Sequence, residues 1–433
     1  MKLRKAQTIR GSVKMPGDKS ISHRSAMLSA IAIGETRISN YSASADCAST
    51  LRCLEELGVP VTSGESEVVI SGVGRSGLQR PSAPLDCGNS GTTMRLLSGI
   101  LAGQDFDSVV VGDESLNKRP MQRIVEPLTQ MGASIASTDG RAPLKIRGRN
   151  PLTPIYFQTP VASAQIKSAI LLAGLNADGV TTVTESSKTR DHTERMLELF
   201  KIEVSSDLSN GYGVSINPGQ PVSPGSMAVP GDLSAAAFFM VAAACFPGSD
   251  ITLTGIGVNP TRSGIIEVLR RLGINIEISD EKNESNEPTA TLRVRGRDDI
   301  RSTEGPALLK GHMIPNLIDE LPILAVLGTQ LEEGLEVRDA AELRHKEADR
   351  ITAVVSNLRL MGADVTESAD GFFIRRSHLH GAQLDSYGDH RISMAFAVAA
   401  LLAEGETEIQ GAECADVSFP QFFEILSSVT ALA

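Results

Sequence analysis

Ser25-Ala26-Met27-Leu28-Ser29-Ala30-Ile31, followed by Gly34, is a run of small and apolar side chains leading into a strand-like stretch, and its recurrence decides the fold. The run reads as a helix. The same pattern returns from Thr92 to Ala102 before Gly103 and from Ala164 to Ala173 before Gly174. It returns again from Ser234 to Phe246, from Asp319 to Leu327 and from Arg391 to Ala403. An amphipathic pattern alternates with it and closes on Leu-Gly or Met-Gly at Leu57-Gly58, Met131-Gly132, Leu272-Gly273 and Met361-Gly362. Met196 to Phe200 and Phe422 to Leu426 fit it without the glycine. Glycine there suits a left-handed C-cap. The stretches that follow, such as Ser66 to Ile70 and Gly371 to Ile374, have strand composition. Each copy therefore reads strand, helix, strand, helix, hairpin, at a period of roughly 65–90 residues, longer than solenoid repeats. The Pro/Gly/Ser-rich segment from Asn217 to Gly225 separates three copies from three, which implies two similar α/β domains.

Composition bounds what such a protein binds. The chain has 433 residues, long enough to bury a large core without a disulfide or metal staple. Its 41 Lys and Arg against 52 Asp and Glu leave a formal charge of −11, which argues against non-specific nucleic-acid or anionic-membrane binding. Trp is absent and Tyr scarce, so stacking platforms for single strands are not expected. The most apolar stretch, Ala235 to Phe246, is well short of the ~20 residues a bilayer requires. Five Cys with no C-x-x-C read as free thiols in a reducing compartment, and no secretory signal follows Met1-Lys2-Leu3-Arg4-Lys5. A cytoplasmic, monomeric protein is expected.

The chemistry-bearing residues cluster where the small-residue helices begin, and helix starts bind anions. These starts read Pro16-Gly17-Asp18-Lys19-Ser20-Ile21-Ser22-His23-Arg24, Cys87-Gly88-Asn89-Ser90-Gly91-Thr92, Ala162-Ser163-Ala164-Gln165, Pro230-Gly231-Asp232-Leu233-Ser234, Ile318-Asp319-Glu320 and Gly388-Asp389-His390-Arg391. With Lys19, Arg24, Arg95 and Arg391 nearby they look like a site for phosphates or carboxylates. Asn117-Lys118-Arg119-Pro120 and Arg344-His345-Lys346-Glu347-Ala348-Asp349-Arg350 add basic groups, and the spacing of Lys346 and Arg350 predicts one shared helix face. Gly72-Val73-Gly74-Arg75-Ser76-Gly77 matches a dinucleotide fingerprint, but Pro81 and Pro84 fall where its helix would open. His378-Leu379-His380 has no metal-ligand partner at a recognisable spacing and reads as a surface strand pair. Thr189 to Arg195 reads as a capped helix start.

Taken in order, the Pro16–Arg24, Gly88–Thr92, Lys118–Met121, Lys346–Arg350 and Asp389–Arg391 motifs resemble the 5-enolpyruvylshikimate-3-phosphate synthase family over essentially the whole chain. The resemblance implies two domains, each of three βαβαββ units around a pseudo-threefold axis (an inside-out α/β barrel). Residues 1–14 with 232–433 would form one domain and 15–231 the other, with the active site in the cleft between them. It implies transfer of the enolpyruvyl group of phosphoenolpyruvate to the 5-hydroxyl of shikimate 3-phosphate, with release of phosphate and with no metal or organic cofactor. By motif, Lys19, Ser20, Arg24, Ser163, Ala164 (through its backbone), Gln165, Arg190, Asp319 and Lys346 would contact shikimate 3-phosphate. Lys19, Asn89, Gly91, Arg119, Gln165, Arg350 and Arg391 would bind phosphoenolpyruvate. Asp319 would be the base for the 5-hydroxyl, with Glu347 and Lys19 as proton shuttles.

Some positions depart from one branch of that family and match another bacterial branch. Val417 precedes Ser418-Phe419-Pro420 where some members carry a contacting Lys, Arg190 replaces a Tyr, Glu342 an Asn, and Ala-Ser-Ala-Gln a Ser-Ser-Gln. With no methyl at Gly91, glyphosate is expected to fit the phosphoenolpyruvate site. Two rival readings are a UDP-N-acetylglucosamine enolpyruvyl transferase and a non-catalytic anion-binding protein of the same fold. The first usually carries a reactive Cys before its Arg-Pro, and Gly112 to Pro120 has none. The second has no need of both Asp319 and Glu347 in a phosphate site.

Overall fold

The computed structural model describes residues 1–64, 67–207, 211–297, 300 and 306–432. It divides into two compact units. One comprises Met1–Pro16, Pro230–Lys282 and the chain from Pro288 onward; the other comprises Gly17–Val229 with Asn283–Glu287. The segment 217–225 lies inside the second unit, and the chain passes between units at 229/230. Residues 283–287, at the turn of a long hairpin whose strands run Asn275–Glu284 and Glu287–Arg295, group with the second unit.

One path is repeated through both units. In the second, strand Leu85–Asp86 leads to helix Gly91–Ala102, strand Asp107–Val111, helix Gln122–Gln130 and the hairpin of Ser134–Thr138 with Arg141–Arg147. Leu85–Asp86 pairs parallel to Asp107–Val111, as a strand–helix–strand crossover requires. Arg141–Arg147 pairs antiparallel to both Asp107–Val111 and its hairpin partner. Sheets built on Thr181–Glu185 and Ile33–Ser39, and in the other unit on Leu335–Val337, have the same order, and a fourth built on Asp250–Gly257 extends it with Thr430–Leu432. A sixth sheet holds three strands, Lys2–Arg4 taking the antiparallel place beside Glu406–Gln410.

The small-residue runs are helices buried nearly all round: Lys19–Ile31, Gly91–Ala102 and Ala164–Gly174 in one unit, Leu233–Cys245, Leu321–Gly328 and His390–Leu402 in the other. Their composition permits close packing. A Cβ at Gly99 would stand 2.2 Å from the Ala169 carbonyl oxygen, so two helix backbones meet there with no space for a side chain. Gly58, Gly132, Gly273 and Gly362 end amphipathic helices at positive φ, the left-handed cap read from the sequence. The strand Glu67–Val73 after the first amphipathic run matches the expected strand from residue 67; Ser66 lies outside the described residues. Among the described residues no helix is long and apolar enough to cross a membrane.

Two local expectations fail. Lys346 and Arg350 do not share a helix face. A 3₁₀ turn spans Ala341–His345, Lys346 is extended, and the helix starts at Arg350. Asp349 accepts from the Thr352 N–H and so fixes the helix start after itself. His378-Leu379-His380 is not a strand pair: only His380 forms a β-bridge, to Glu404, and Leu379 is turned into the core. The start read at Thr189–Arg195 becomes helix His192–Leu199, without a side-chain cap from Asp191. No helix follows Gly72–Gly77.

Candidate functional site

In the second unit the site is built on three helix starts. Asp18 caps the first by accepting from the Ile21 N–H at 2.9 Å, which puts Lys19 and Ser20 in the opening turn. Lys19 Nζ pairs with Asp46 at 2.9 Å. Arg24, one turn on and buried, donates to the Ser20 carbonyl at 2.9 Å, to Thr193 Oγ1 at 2.7 Å and to Ser168 Oγ at 2.8 Å. Burial lowers its pKa to about 10; Glu194, Asp18 and Glu287 oppose that shift, and the nearby Arg190 adds to it. Arg24 and Arg190 thus form one positive region beside the Ser168 helix.

That helix, Ala164–Gly174, begins after Ser163, whose side chain makes no capping bond. Its opening N–H groups are therefore not satisfied by a side-chain cap and suit an anion. Gln165 links it to the next start: Nε2 donates to Thr92 Oγ1 at 3.0 Å, and Oε1 accepts from Arg95 Nη1 at 2.7 Å. Arg119 Nη2 donates to Asn89 Oδ1 at 2.6 Å, and Asn89 in turn donates to Asp113 at 2.7 Å. Gly91 lies between the two guanidinium groups. A Cβ there would come within 2.8 Å of Arg95 Nη1 and 3.4 Å of Arg119 Nη1. Lys19, Ser20, Arg24, Asn89, Gly91, Arg119, Ser163, Ala164, Gln165 and Arg190 therefore all lie in this unit.

The first unit holds a different cluster. Arg350, 1% exposed, meets Asp389 at 2.7 Å, Glu347 at 2.6 Å and Asp319 at 3.5 Å. Asp389 also caps helix His390–Leu402, accepting from the Arg391 N–H at 2.8 Å, so one carboxylate orients both arginines. Arg391 approaches Asp319 twice, Nε at 3.5 Å from Oδ1 and Nη1 donating to its carbonyl at 3.2 Å. The two 3.5 Å separations are looser than the charge-assisted bonds to Asp389 and Glu347. Burial alone would lower the Arg350 pKa, but Asp389, Glu347 and Asp319 outweigh it and raise it. Burial lowers the pKa of Lys346, with Asp319 opposing.

Sequence reasoning missed the groups that hold these residues. Asp46, Thr193 and Ser168 lie 27, 169 and 144 positions from the side chains they bind, where no local pattern marks them. Arg95 was visible as a basic residue, but nothing in the sequence joins it to Gln165.

Comparison with known proteins identifies the family. The profile of EPSP synthase (3-phosphoshikimate 1-carboxyvinyltransferase) matches residues 3–426. A 3-phosphoshikimate 1-carboxyvinyltransferase of Pelotomaculum thermopropionicum is 52% identical over 432 residues, covering 98% of this chain and 97% of the relative. One from Geobacillus kaustophilus is 49% identical over 427 residues, covering 98% of each. The 2.37 Å structure of EPSP synthase from Acinetobacter baumannii superposes with a TM-score of 0.86 at 41% identity, covering 99% of this chain and 97% of that one. On sequence across its whole length and on fold, this chain belongs to the EPSP synthase (3-phosphoshikimate 1-carboxyvinyltransferase) family.

Proposed function

We propose that the chain carries out the transfer of its family, moving the enolpyruvyl group of phosphoenolpyruvate to the 5-hydroxyl of shikimate 3-phosphate with release of phosphate, and that both clusters serve this one reaction. Lys19, Ser20, Arg24, Ser163, Ala164, Gln165 and Arg190 hold shikimate 3-phosphate, and Asp319 and Lys346 also engage it. Lys19, Asn89, Gly91, Arg119, Gln165, Arg350 and Arg391 hold phosphoenolpyruvate. Both substrates are anions, which explains local basic clusters in a protein of net charge −11. The two compact units are its domains.

The chemistry divides accordingly. A C–O bond forms between the 5-oxygen and the phosphate-bearing carbon of phosphoenolpyruvate, and the hydroxyl proton passes to Asp319. The methylene carbon gains a proton and returns it as the C–O bond to phosphate breaks, with Glu347 and Lys19 as donor and acceptor. Lys19, Arg119, Arg350 and Arg391 stabilise the negative charge on departing phosphate. One observation carries the reading: Arg350 is buried among Asp319, Glu347 and Asp389. Carboxylates beside an anion site hinder simple binding but are needed for proton transfer. The rival UDP-N-acetylglucosamine reading lacks its cysteine here. The five free thiols suit a cytoplasmic setting, and the chain is proposed to act as a monomer.

The test is phosphate release from phosphoenolpyruvate with no added metal, with and without shikimate 3-phosphate. Release that requires shikimate 3-phosphate supports the reaction. Release that instead requires UDP-N-acetylglucosamine, or none with either, removes it.

A further inference from the structure

Buried helical hydroxyls usually bond back to a carbonyl of their own helix. Ser25, Ser29 and Ser98 do so, to Ser22, Ser25 and Met94 at 2.8, 2.6 and 2.7 Å. Thr50 and Thr93 do not. Thr50, on helix Ala45–Glu56, lies 2.6 Å from His23 Nδ1 on helix Lys19–Ile31 and 2.7 Å from Thr93 Oγ1 on helix Gly91–Ala102. Thr93 donates to Ser90 Oγ at 2.7 Å, and Ser90 also accepts the Thr93 N–H at 3.1 Å as the cap of its helix. His23, Thr50, Thr93 and Ser90 are each 0% exposed.

The relay has one direction. A hydroxyl has a single proton to give. Thr93 spends its proton on Ser90, so it accepts from Thr50, and Thr50 accepts from His23 Nδ1–H. His23 Nδ1 then carries a proton, and Nε2 has no hydrogen-bond partner among the described residues to hold a second one. Burial, together with Lys19 and Arg24, holds the His23 pKa well below its usual value, in keeping with that tautomer.

The ends of the relay sit at the substrate groups. His23 shares its helix with Lys19 and Arg24. Ser90 stands between Asn89, which holds Arg119, and Gly91. We propose that His23, Thr50 and Thr93 are positioning residues, whose relay fixes the start of the Gly91–Ala102 helix against the Lys19–Ile31 helix and so sets the spacing between the phosphoenolpyruvate groups and the shikimate 3-phosphate groups. The inference rests on the assignment of those groups above. None of the three touches substrate in this scheme; each acts through the helix start it ties down. Displacement of a site by about an ångström lowers rates on the order of a hundredfold.

The test compares Thr50→Val, which keeps the shape and loses the hydroxyl, with Thr50→Ser, which keeps the hydroxyl. Both are assayed below their melting temperatures. Thr50→Val is expected to raise KM for phosphoenolpyruvate about tenfold and to lower kcat, the equivalent of one lost hydrogen bond in the bound state. KM for shikimate 3-phosphate should move less than about twofold, and Thr50→Ser should restore both constants to within about twofold. Should Thr50→Val not fold, Thr93→Val against Thr93→Ser makes the same comparison. A folded valine variant with unchanged constants overturns the proposal, as does a serine variant as impaired as the valine one. Arg119→Ala is run alongside. If it leaves KM for phosphoenolpyruvate unchanged, the site assignment fails; if it raises that KM and the valine variants do not, the relay alone fails.

Discussion

In the cluster around Lys19 and Arg24, the bonds donated by Arg24, Arg95 and Arg119 include those to neutral oxygens of Ser20, Ser168, Thr193, Pro120, Gln165, Asn89 and Ser115, while Lys19 pairs with Asp46. In the cluster around Arg350, the guanidinium is ringed by Asp389, Glu347 and Asp319. The contrast separates two tasks. Guanidinium groups oriented by neutral acceptors keep their charge for an incoming phosphate or carboxylate. A guanidinium among carboxylates is held in a fixed place beside groups able to exchange protons. The first cluster therefore offers mainly positive charge for an anion, and the second adds the carboxylates that proton transfer needs.

The widest separation comes from Asp319→Asn and Arg119→Ala. Asp319→Asn keeps the shape and removes the base, so kcat should fall by about 10²–10⁴ with both KM values within a few-fold. If Asp319→Asn shifts KM instead and leaves kcat alone, the catalytic half is misassigned. Arg119→Ala should raise KM for phosphoenolpyruvate by on the order of 30-fold or more, as expected when a charged hydrogen-bonding partner of an anion is lost. An equal loss of kcat at unchanged KM would erase the contrast.

Stability offers a third comparison. Lys167, 2% exposed, pairs with Glu185 at 2.9 Å and Glu194 at 2.7 Å, directly behind the Ser168–Arg24–Thr193 contacts. Lys167→Met leaves two buried carboxylates without their cation and should cost about 3–5 kcal/mol in urea unfolding. Lys118→Ala, which removes an exposed pair with Glu114, should cost less than about 1 kcal/mol. Equal losses would show that the internal cluster is not what holds the binding half together.

Gly91→Ala probes the binding half more finely. The new methyl meets Arg95 Nη1, so Arg95 must leave Gln165 or glyphosate must lose space. The parent should be glyphosate-sensitive, and the variant's inhibition constant should rise roughly 5- to 100-fold, the range for overpacking a filled site. A parent already insensitive, with a normal KM for phosphoenolpyruvate, would remove that expectation. The smallest effect is with pH. Burial lowers the Lys346 pKa, so its positive charge is lost at a lower pH than for an ordinary lysine. KM for shikimate 3-phosphate should therefore begin to rise below pH 10.5 on the alkaline side, by a few-fold, and Lys346→Arg should flatten that limb. A profile identical in the arginine variant would show that another group titrates.

The fold was legible wherever a short stretch carries its own reason. Runs such as Ala235–Ala244 form buried helices because every face is small or apolar, and Gly58, Gly132, Gly273 and Gly362 mark helix ends because their φ values are positive. The helix starts at Lys19 and His390 were legible because Asp18 and Asp389 cap what they precede. The misreading at Lys346 and Arg350 came from using spacing alone: i and i+4 share a face only inside one helix, and the Asp349 cap begins the helix at Arg350. Asp349 with Thr352 three residues on was the signal that could have corrected it. Nothing in the sequence marks residues 283–287 as part of the other unit.

The sequence by itself determined the repeated helix–strand path and the anionic class of the substrates, because periodicity, caps and charge act over a few residues. Only the tertiary structure decided that Arg24 is held by Thr193 and Ser168, that Gln165 joins Arg95, and that Asp389 holds Arg350 from 39 positions away. Those bonds depend on the directions of side chains brought together by packing, and such directions leave no trace in the spacing of residues along the chain.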